Sequence, residues 1–133
     1  MKTDKVIIKK SKIHSYGVFT NKDFKKGEIV LKWNTSKTLS KKEVNKLSDN
    51  EKQYIIHMNN KYILLPAPEK YVNHSCAANT TAKQFCDLAK RNIKKGEEIT
   101  ANYEENYKEK LPTNNYKKCN CGSKNCKGIM TSY

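Results

Sequence analysis

The chain has 133 residues, enough for one domain with its own core, and a formal charge of +14 from 27 Lys and Arg against 13 Asp and Glu. That charge favours acidic partners, nucleic acid first among them, but the only arginine is Arg91 and asparagine is abundant, a bias that an AT-rich genome also produces. No stretch approaches the roughly 18 consecutive apolar residues of a membrane span, and Val6-Ile7-Ile8 is too short for a signal-peptide core; the expectation is a soluble, intracellular protein with no membrane partner.

In chain order, residues 6–9 form a strand candidate, and Gly17-Val18-Phe19 begins a second strand after a turn at Ser15-Tyr16. Asp23 to Val30 reads as a turn closed by Gly27 and followed by a strand. A near copy runs from Asn92 to Ile99 around Gly96, the same local device used twice. Ser40-Lys41-Lys42-Glu43 matches a capping box, and Val44 and Leu47 continue it at helical spacing, which predicts one short helix over about 41–47. Residues 54–58 and 61–65 are β-prone runs around Asn59-Asn60, a hairpin pattern ended by Pro66 and Pro68. Residues 80–88 read as one further strand, and 104–118 as a polar, mobile connector to a cysteine-rich end. The reading is a mostly β domain over 1–107, with the connector and a metal-binding segment over 108–133.

Five cysteines in an intracellular chain point to metal or chemistry rather than disulfides. Cys119, Cys121 and Cys126 place three thiols within eight residues, with Gly122 letting the chain fold back. Structural Zn²⁺ takes four soft ligands in a tetrahedron, so one more ligand must come from the body of the domain. Cys76, Cys86 and the three histidines are the candidates.

Tyr71-Val72-Asn73-His74-Ser75-Cys76-Ala77-Ala78-Asn79, followed by Gly96-Glu97-Glu98-Ile99-Thr100-Ala101-Asn102-Tyr103, resembles the two signature motifs of the SET-domain lysine methyltransferases in order and spacing. Ser15-Tyr16-Gly17-Val18-Phe19 looks like that family's Gly-aromatic-Gly turn, and the terminal Cys-x-Cys-x₄-Cys-x-Gly resembles its post-SET zinc segment. The resemblance covers nearly the whole chain. It implies small curled β-sheets around a knot-like crossing, with the Asn-His-Ser-Cys segment threaded under the strand that carries the catalytic tyrosine.

The same resemblance implies transfer of a methyl group from S-adenosylmethionine (SAM) to the amine of a protein lysine, with histone tails the first substrate. A free lysine has a pKa of about 10.4, so roughly one in 2,500 is neutral at pH 7. The cofactor's positive sulfur and an apolar channel both disfavour the ammonium form, and holding the amine in line with the methyl supplies proximity. Tyr103 matches the catalytic tyrosine, whose hydroxyl meets the cofactor's transferring methyl as well as the amine. Asn73 and His74 match residues that hold the cofactor's ammonium and adenine ends, and Ser15, Tyr16 and Gly17 match the loop that wraps it. Tyr54 stands where an aromatic often meets the cofactor, and Tyr107 where one walls the lysine channel; ordinary packing is the other reading of each. Cys76 becomes the fourth ligand of a structural Zn²⁺ with Cys119, Cys121 and Cys126, leaving Cys86 as a buried strand thiol.

Three positions depart from the family pattern: Ser15 replaces the turn's first Gly, Ala78 replaces a frequent Pro, and Ala101 replaces an aromatic that limits the channel. A small residue at 101 implies room for di- or trimethylation. Residues 1–14 hold no cysteine, and the stretch between Trp33 and Pro66 is short, which resembles the stand-alone viral and microbial members and implies a possible homodimer. A histone substrate implies the nucleus, and any other substrate the cytoplasm; Glu104, Glu105 and Glu109 offer an acidic groove for a basic tail. Two other readings compete: a SET-like binding scaffold that has lost activity, and a basic zinc protein that mainly binds nucleic acid, nucleosomal DNA included.

Overall fold

Strand β1 (Val6–Lys10) pairs antiparallel with β2 (Tyr16–Thr20), placing the turn at Ser15 beside β1's end. Here and throughout, structure refers to a computed structural model that describes residues 4–58, 60–103 and 116–131. The strands that follow are β3 (Ile29–Lys32), β4 (Thr38–Leu39), β5 (Ile55–Met58), β6 (Lys61–Leu64), β7 (Asn73–His74), β8 (Thr80–Lys83), β9 (Cys86–Ala89), β10 (Glu98–Ala101), β11 (Tyr116–Lys118) and β12 (Ile129–Thr131). They make four small sheets, ordered β1-β2-β10-β7, β3-β9-β8, β4-β6-β5 and β11-β12.

Within the first sheet, β10 runs antiparallel to β2 but parallel to β7, with Thr100 opposite Asn73 and Ala101 opposite His74. A parallel neighbour cannot be reached by a tight turn, and here the crossover is residues 75–97. The pairing sets the 71–79 segment alongside the strand that leads to Tyr103. Val6, Val18, Val30, Ile93 and Ile99 fill the space between the sheets with virtually no exposed surface, each burial contributing about 1.5–3 kcal/mol. Trp33, Ile56, Ile63 and Leu65 form a second cluster under β5 and β6.

Three local expectations change. The helix expected over 41–47 ends earlier, as α1 (Lys41–Asn45), and a second one-turn helix, α2 (Asp49–Lys52), follows. Both begin with reciprocal capping boxes: Ser40 with Glu43, and Ser48 with Glu51. The second box stops the first helix, because Ser48 binds the backbone N–H of Glu51 and opens a new N-terminus. The single strand expected over 80–88 is instead the hairpin β8–β9, turning at Gln84 (φ 51°) and Phe85 (φ 61°). Neither is a turn-forming residue. Phe85 is held there because its ring packs on the second cluster and its carbonyl accepts the Trp33 N–H at 2.9 Å. Finally, Tyr116–Lys118 is not connector but a strand, paired with β12 so that the two bracket the terminal cysteines; residues 104–115 lie outside the described residues. The β5–β6 hairpin forms as expected, with Asn60 at φ 61°. No helix among the described residues is long and apolar enough to cross a membrane.

Candidate functional site

The turn before β2 holds Ser15 at φ 41°, the left-handed region in which a residue with a Cβ is strained by about 1–2 kcal/mol. Two residues on, Gly17 has no room for a side chain. A Cβ there would run into the Glu98 carboxylate and come within 3.0 Å of the Ser11 Cβ. That carboxylate organises the loop: it accepts the Ser11 hydroxyl at 2.8 Å and the Asn73 amide N–H at 3.0 Å. Asn73 Nδ2 also donates to the carbonyls of Tyr16 (2.9 Å) and His14 (3.2 Å). The Asn73 amide nitrogen therefore staples β7 to the 14–16 turn, while its Oδ1 meets no donor among the described residues although Asn73 is only 6% exposed. A buried acceptor left open is costly unless a ligand fills it.

Oδ1 belongs to a residue lining a partly open cavity, together with Ser15, Tyr16, Tyr54, His74 and Tyr103. These are six of the seven positions expected to meet a cofactor; the seventh, Gly17, is buried and does not line the cavity. A second, smaller cavity is lined by Trp33, Ile56, Val72, Ala101 and Tyr103, with Glu69 and Asp87 among its walls. Tyr103 and Tyr54 belong to both. The Tyr103 hydroxyl donates to the Val72 carbonyl at 2.7 Å, and its backbone N–H donates to His74 Nδ1 at 3.0 Å. Tyr107, expected in the channel wall, lies outside the described residues, as do Glu104, Glu105 and Glu109.

Lys70 escaped the sequence reading. Its Nζ lies 5.2 Å from the Tyr54 ring centroid and 5.1 Å from that of Tyr71, and the residue lines both cavities. Two ring faces hold the ammonium where it can receive a carboxylate. Its position directly before Tyr71-Val72-Asn73 was the available signal. Glu98 was missed in the same way: it lay inside a quoted motif with no role assigned.

The thiols of Cys76, Cys119, Cys121 and Cys126 all lie within 4.8 Å of one another, Cys76 and Cys119 at 3.9 Å. Zn–S bonds of about 2.3 Å place sulfurs roughly 3.8 Å apart in a tetrahedron, so the donor set and its spacing fit zinc. Backbone N–H groups of Lys127 and Gly128 point at the sulfurs of Cys76 and Cys126, both at 3.4 Å. Burial, with the crowding of neighbouring thiols, pushes Cys119 up to about 12, while at Cys121 burial is opposed by the Ser123 hydroxyl and by the backbone N–H groups of Cys76 and Ser123, which together hold it down to about 5. A divalent cation would allow all four to be thiolates. Cys86 is buried in β9, outside this cluster. Among the other candidates, His74 stands next to the cluster: its Nδ1 accepts from Tyr103, so the neutral ring carries its proton on Nε2, 3.6 Å from the Cys76 sulfur. One imidazole thus joins the cysteine cluster to the strand end at Tyr103, and Cys119 and Asn120 form part of the larger cavity's wall.

Asp87 is 3% exposed and accepts the Trp33 indole N–H at 2.9 Å. Burial, with the nearby Glu69 adding to it, pushes its carboxyl up to about 7 against that bond. An unfolded aspartate titrates near 3.9, so from about pH 4 to 7 the unfolded chain has lost a proton that the folded one keeps. Stability should therefore fall as pH rises through that window, by a few kcal/mol in all, and level off above it. Asp87→Asn keeps an oxygen for Trp33 and removes the titration. In urea unfolding it should show a flatter profile from pH 4 to 7 and greater stability than the parent at pH 8; equal slopes in the two proteins would contradict the assignment.

Residues 15–104 match the family model described as SET domain. The chain is 27% identical over 144 residues to human histone-lysine N-methyltransferase 2D, covering 94% of this chain and 2% of that protein. It is 32% identical over 142 residues to the variant-silencing SET domain-containing protein of Plasmodium falciparum, covering 90% and 5%. The chain therefore spans only a small fraction of these relatives. A crystal structure of a putative histone methyltransferase from Plasmodium falciparum superposes with a TM-score of 0.64 at 24% identity, over 77% of this chain and 95% of that one.

Proposed function

The chain belongs to the SET-domain family, and on that premise we propose that it is a SAM-dependent protein-lysine N-methyltransferase whose substrate is a histone tail. The observation that carries the reading is the position of Tyr103 in the wall shared by two cavities: a transfer between two bound partners needs both reacting atoms at one partition. SAM, when bound, supplies an electrophilic methyl on a sulfonium. Asn73 Oδ1, the open acceptor, takes the ammonium of its amino-acid end, Lys70 takes the carboxylate, and the turn at Ser15 and Tyr16 with the His74 backbone encloses the rest. Zn²⁺ would be held by Cys76, Cys119, Cys121 and Cys126 and would supply a structural clamp on the tail.

A target lysine enters the smaller cavity on the side of Trp33, Ile56 and Ala101, whose apolar side chains favour the neutral amine against the opposing pull of Glu69 and Asp87 in the same wall. The Tyr103 hydroxyl and the Val72 carbonyl, 2.7 Å apart, accept the amine's N–H groups. Its lone pair then faces away from them, toward the larger cavity. An unperturbed phenol is protonated at pH 7, so Tyr103 orients the amine rather than serving as its base. Ala101 leaves space that an aromatic side chain would fill, which supports di- and trimethylation.

Incubation with labelled SAM, a histone panel and cell extract, read by mass spectrometry, tests the activity, and product mass over time tests its degree. The expected result is one modified histone lysine, advancing past the monomethyl form with excess SAM. A product series that stops at one methyl refutes the reading of Ala101; absence of any modified lysine, with SAM bound, refutes the enzyme.

A further inference from the structure

The two Lys-Lys-Gly-Glu turns, distant in sequence, are built against each other. Phe24 and Ile93 exchange backbone hydrogen bonds, both 2.8 Å, as an isolated antiparallel bridge. Around that bridge the bonds donated by backbone N–H groups come in matching pairs. The Lys26 N–H donates to the Asn92 side chain at 2.9 Å, and the Lys95 N–H to Asp23 at 2.8 Å. The N–H of Lys25 is capped by Glu28, and that of Lys94 by Glu97. Gly27 donates to the carbonyl of Ala89 and Gly96 to that of Thr20 (2.8 and 2.9 Å), and Ala89 and Thr20 answer by donating to Glu28 and Glu97, both 2.9 Å. Segments 20–28 and 89–97 are thus related by a local two-fold axis through the bridge.

The arrangement sorts charge. Asp23, Glu28 and Glu97 spend carboxylate oxygens on backbone N–H groups, whereas Lys25, Lys26, Lys94 and Lys95 are exposed and, among the described residues, none of the four forms an ion pair. Lys22 and Arg91 occupy equivalent places beside them, Arg91 paired with Glu97. Two identical lysine pairs on one two-fold face match a ligand that presents phosphates with the same symmetry, and the antiparallel strands of duplex DNA do so about every base pair. We propose that this twin-turn face docks on the phosphate backbone of duplex DNA without reading its sequence. It is separate from the cavities: β2 runs from Tyr16 in the cavity wall to Thr20 at the turns, roughly 13 Å at about 3.4 Å per residue. DNA held there leaves the lysine channel open to a tail from the same nucleosome, a use of the contact that rests on the methyltransferase reading.

The test measures the affinity of the full chain for a short DNA duplex by fluorescence anisotropy between about 50 and 200 mM salt. It compares the parent, the quadruple variant Lys25/Lys26/Lys94/Lys95→Ala, and a charge-matched control, Lys37/Lys41/Lys42/Lys46→Ala, around α1. Each lost phosphate contact lowers the salt slope by about 0.9, so the twin-turn variant should lose about 3 to 4 and bind at least tenfold more weakly at low salt. The control should move little. Equal losses in both variants would assign binding to overall charge and overturn the proposal, as would an unchanged slope in the twin-turn variant or a preference of the parent for single strands. Methylation of a free histone peptide by the same proteins separates the two readings. The twin-turn variant should match the parent there and fall behind it on nucleosomes; equal rates on nucleosomes would overturn the proposed use, and a parent inactive on every peptide would refute the enzyme reading while leaving the DNA result standing.

Discussion

Tyr103→Phe should lower methyl transfer by about 10²–10³-fold, the usual consequence of removing one pre-aimed hydrogen-bonding group from a reaction centre, while SAM affinity stays within a few-fold of the parent. The substitution is clean because the residue's two contacts with His74 survive. The backbone N–H still reaches His74 Nδ1 at 3.0 Å, and the edge-on ring contact with His74, 5.2 Å between centroids, needs no hydroxyl. What disappears is the 2.7 Å bond to the Val72 carbonyl, worth about 1 kcal/mol in stability, too little to unfold the domain. Single-turnover methylation and calorimetry with SAM, run on both proteins, separate the effects. A loss under tenfold would place the hydroxyl away from the reacting atoms, and loss of SAM binding in step with rate would make Tyr103 a cofactor ligand. An inactive scaffold predicts weak SAM binding in both proteins, and a nucleic-acid-binding zinc protein predicts DNA affinity indifferent to the change.

Loss of the metal should be as damaging by a different route. The parent is expected to carry one zinc per chain, and Cys76→Ser to bind it roughly 100-fold more weakly, since one of four ligands accounts for about 3 kcal/mol of a structural site worth some 10–16. Cys86→Ser removes a thiol from β9 and should leave zinc content untouched. The consequence reaches the active site along two paths. Cys119 and Asn120 line the larger cavity, so freeing the tail opens its wall. His74 stands between the Cys76 sulfur and the Tyr103 N–H, so a relaxed Cys76 loosens the support of the tyrosine. Chelation should therefore abolish transfer and raise amide exchange at 116–131 and at 102–103, with zinc restoring both. Metal analysis and hydrogen exchange check this; full activity in zinc-free protein would refute the clamp.

Most of the strands were legible in the sequence because each depends on neighbours in the chain. The Gly27 and Gly96 turns need positive φ, which glycine supplies, and both precede the strand expected of them. Ser40 and Glu43 cap each other within one turn, and Asn60 adopts the left-handed conformation that Asn tolerates. The spacing of the terminal cysteines announced a metal site in the same local way.

Tertiary structure decided whatever depends on residues far apart. The turn at Gln84-Phe85 has no local signal; a ring packed on Trp33's cluster and a carbonyl bonded to Trp33 hold it there. Asn73 and Tyr103 were named from motifs, but only the parallel pairing of β7 with β10 puts them in one cavity wall and leaves Oδ1 open. Lys70 gains its place from two tyrosine rings, one of them sixteen residues away in sequence, and the twin turns become one charged face through a single bridge between Phe24 and Ile93. Local composition fixes backbone conformation because φ and ψ answer to adjacent atoms. Which side chains share a cavity is set by strand pairing and core packing, whose partners no window of sequence contains.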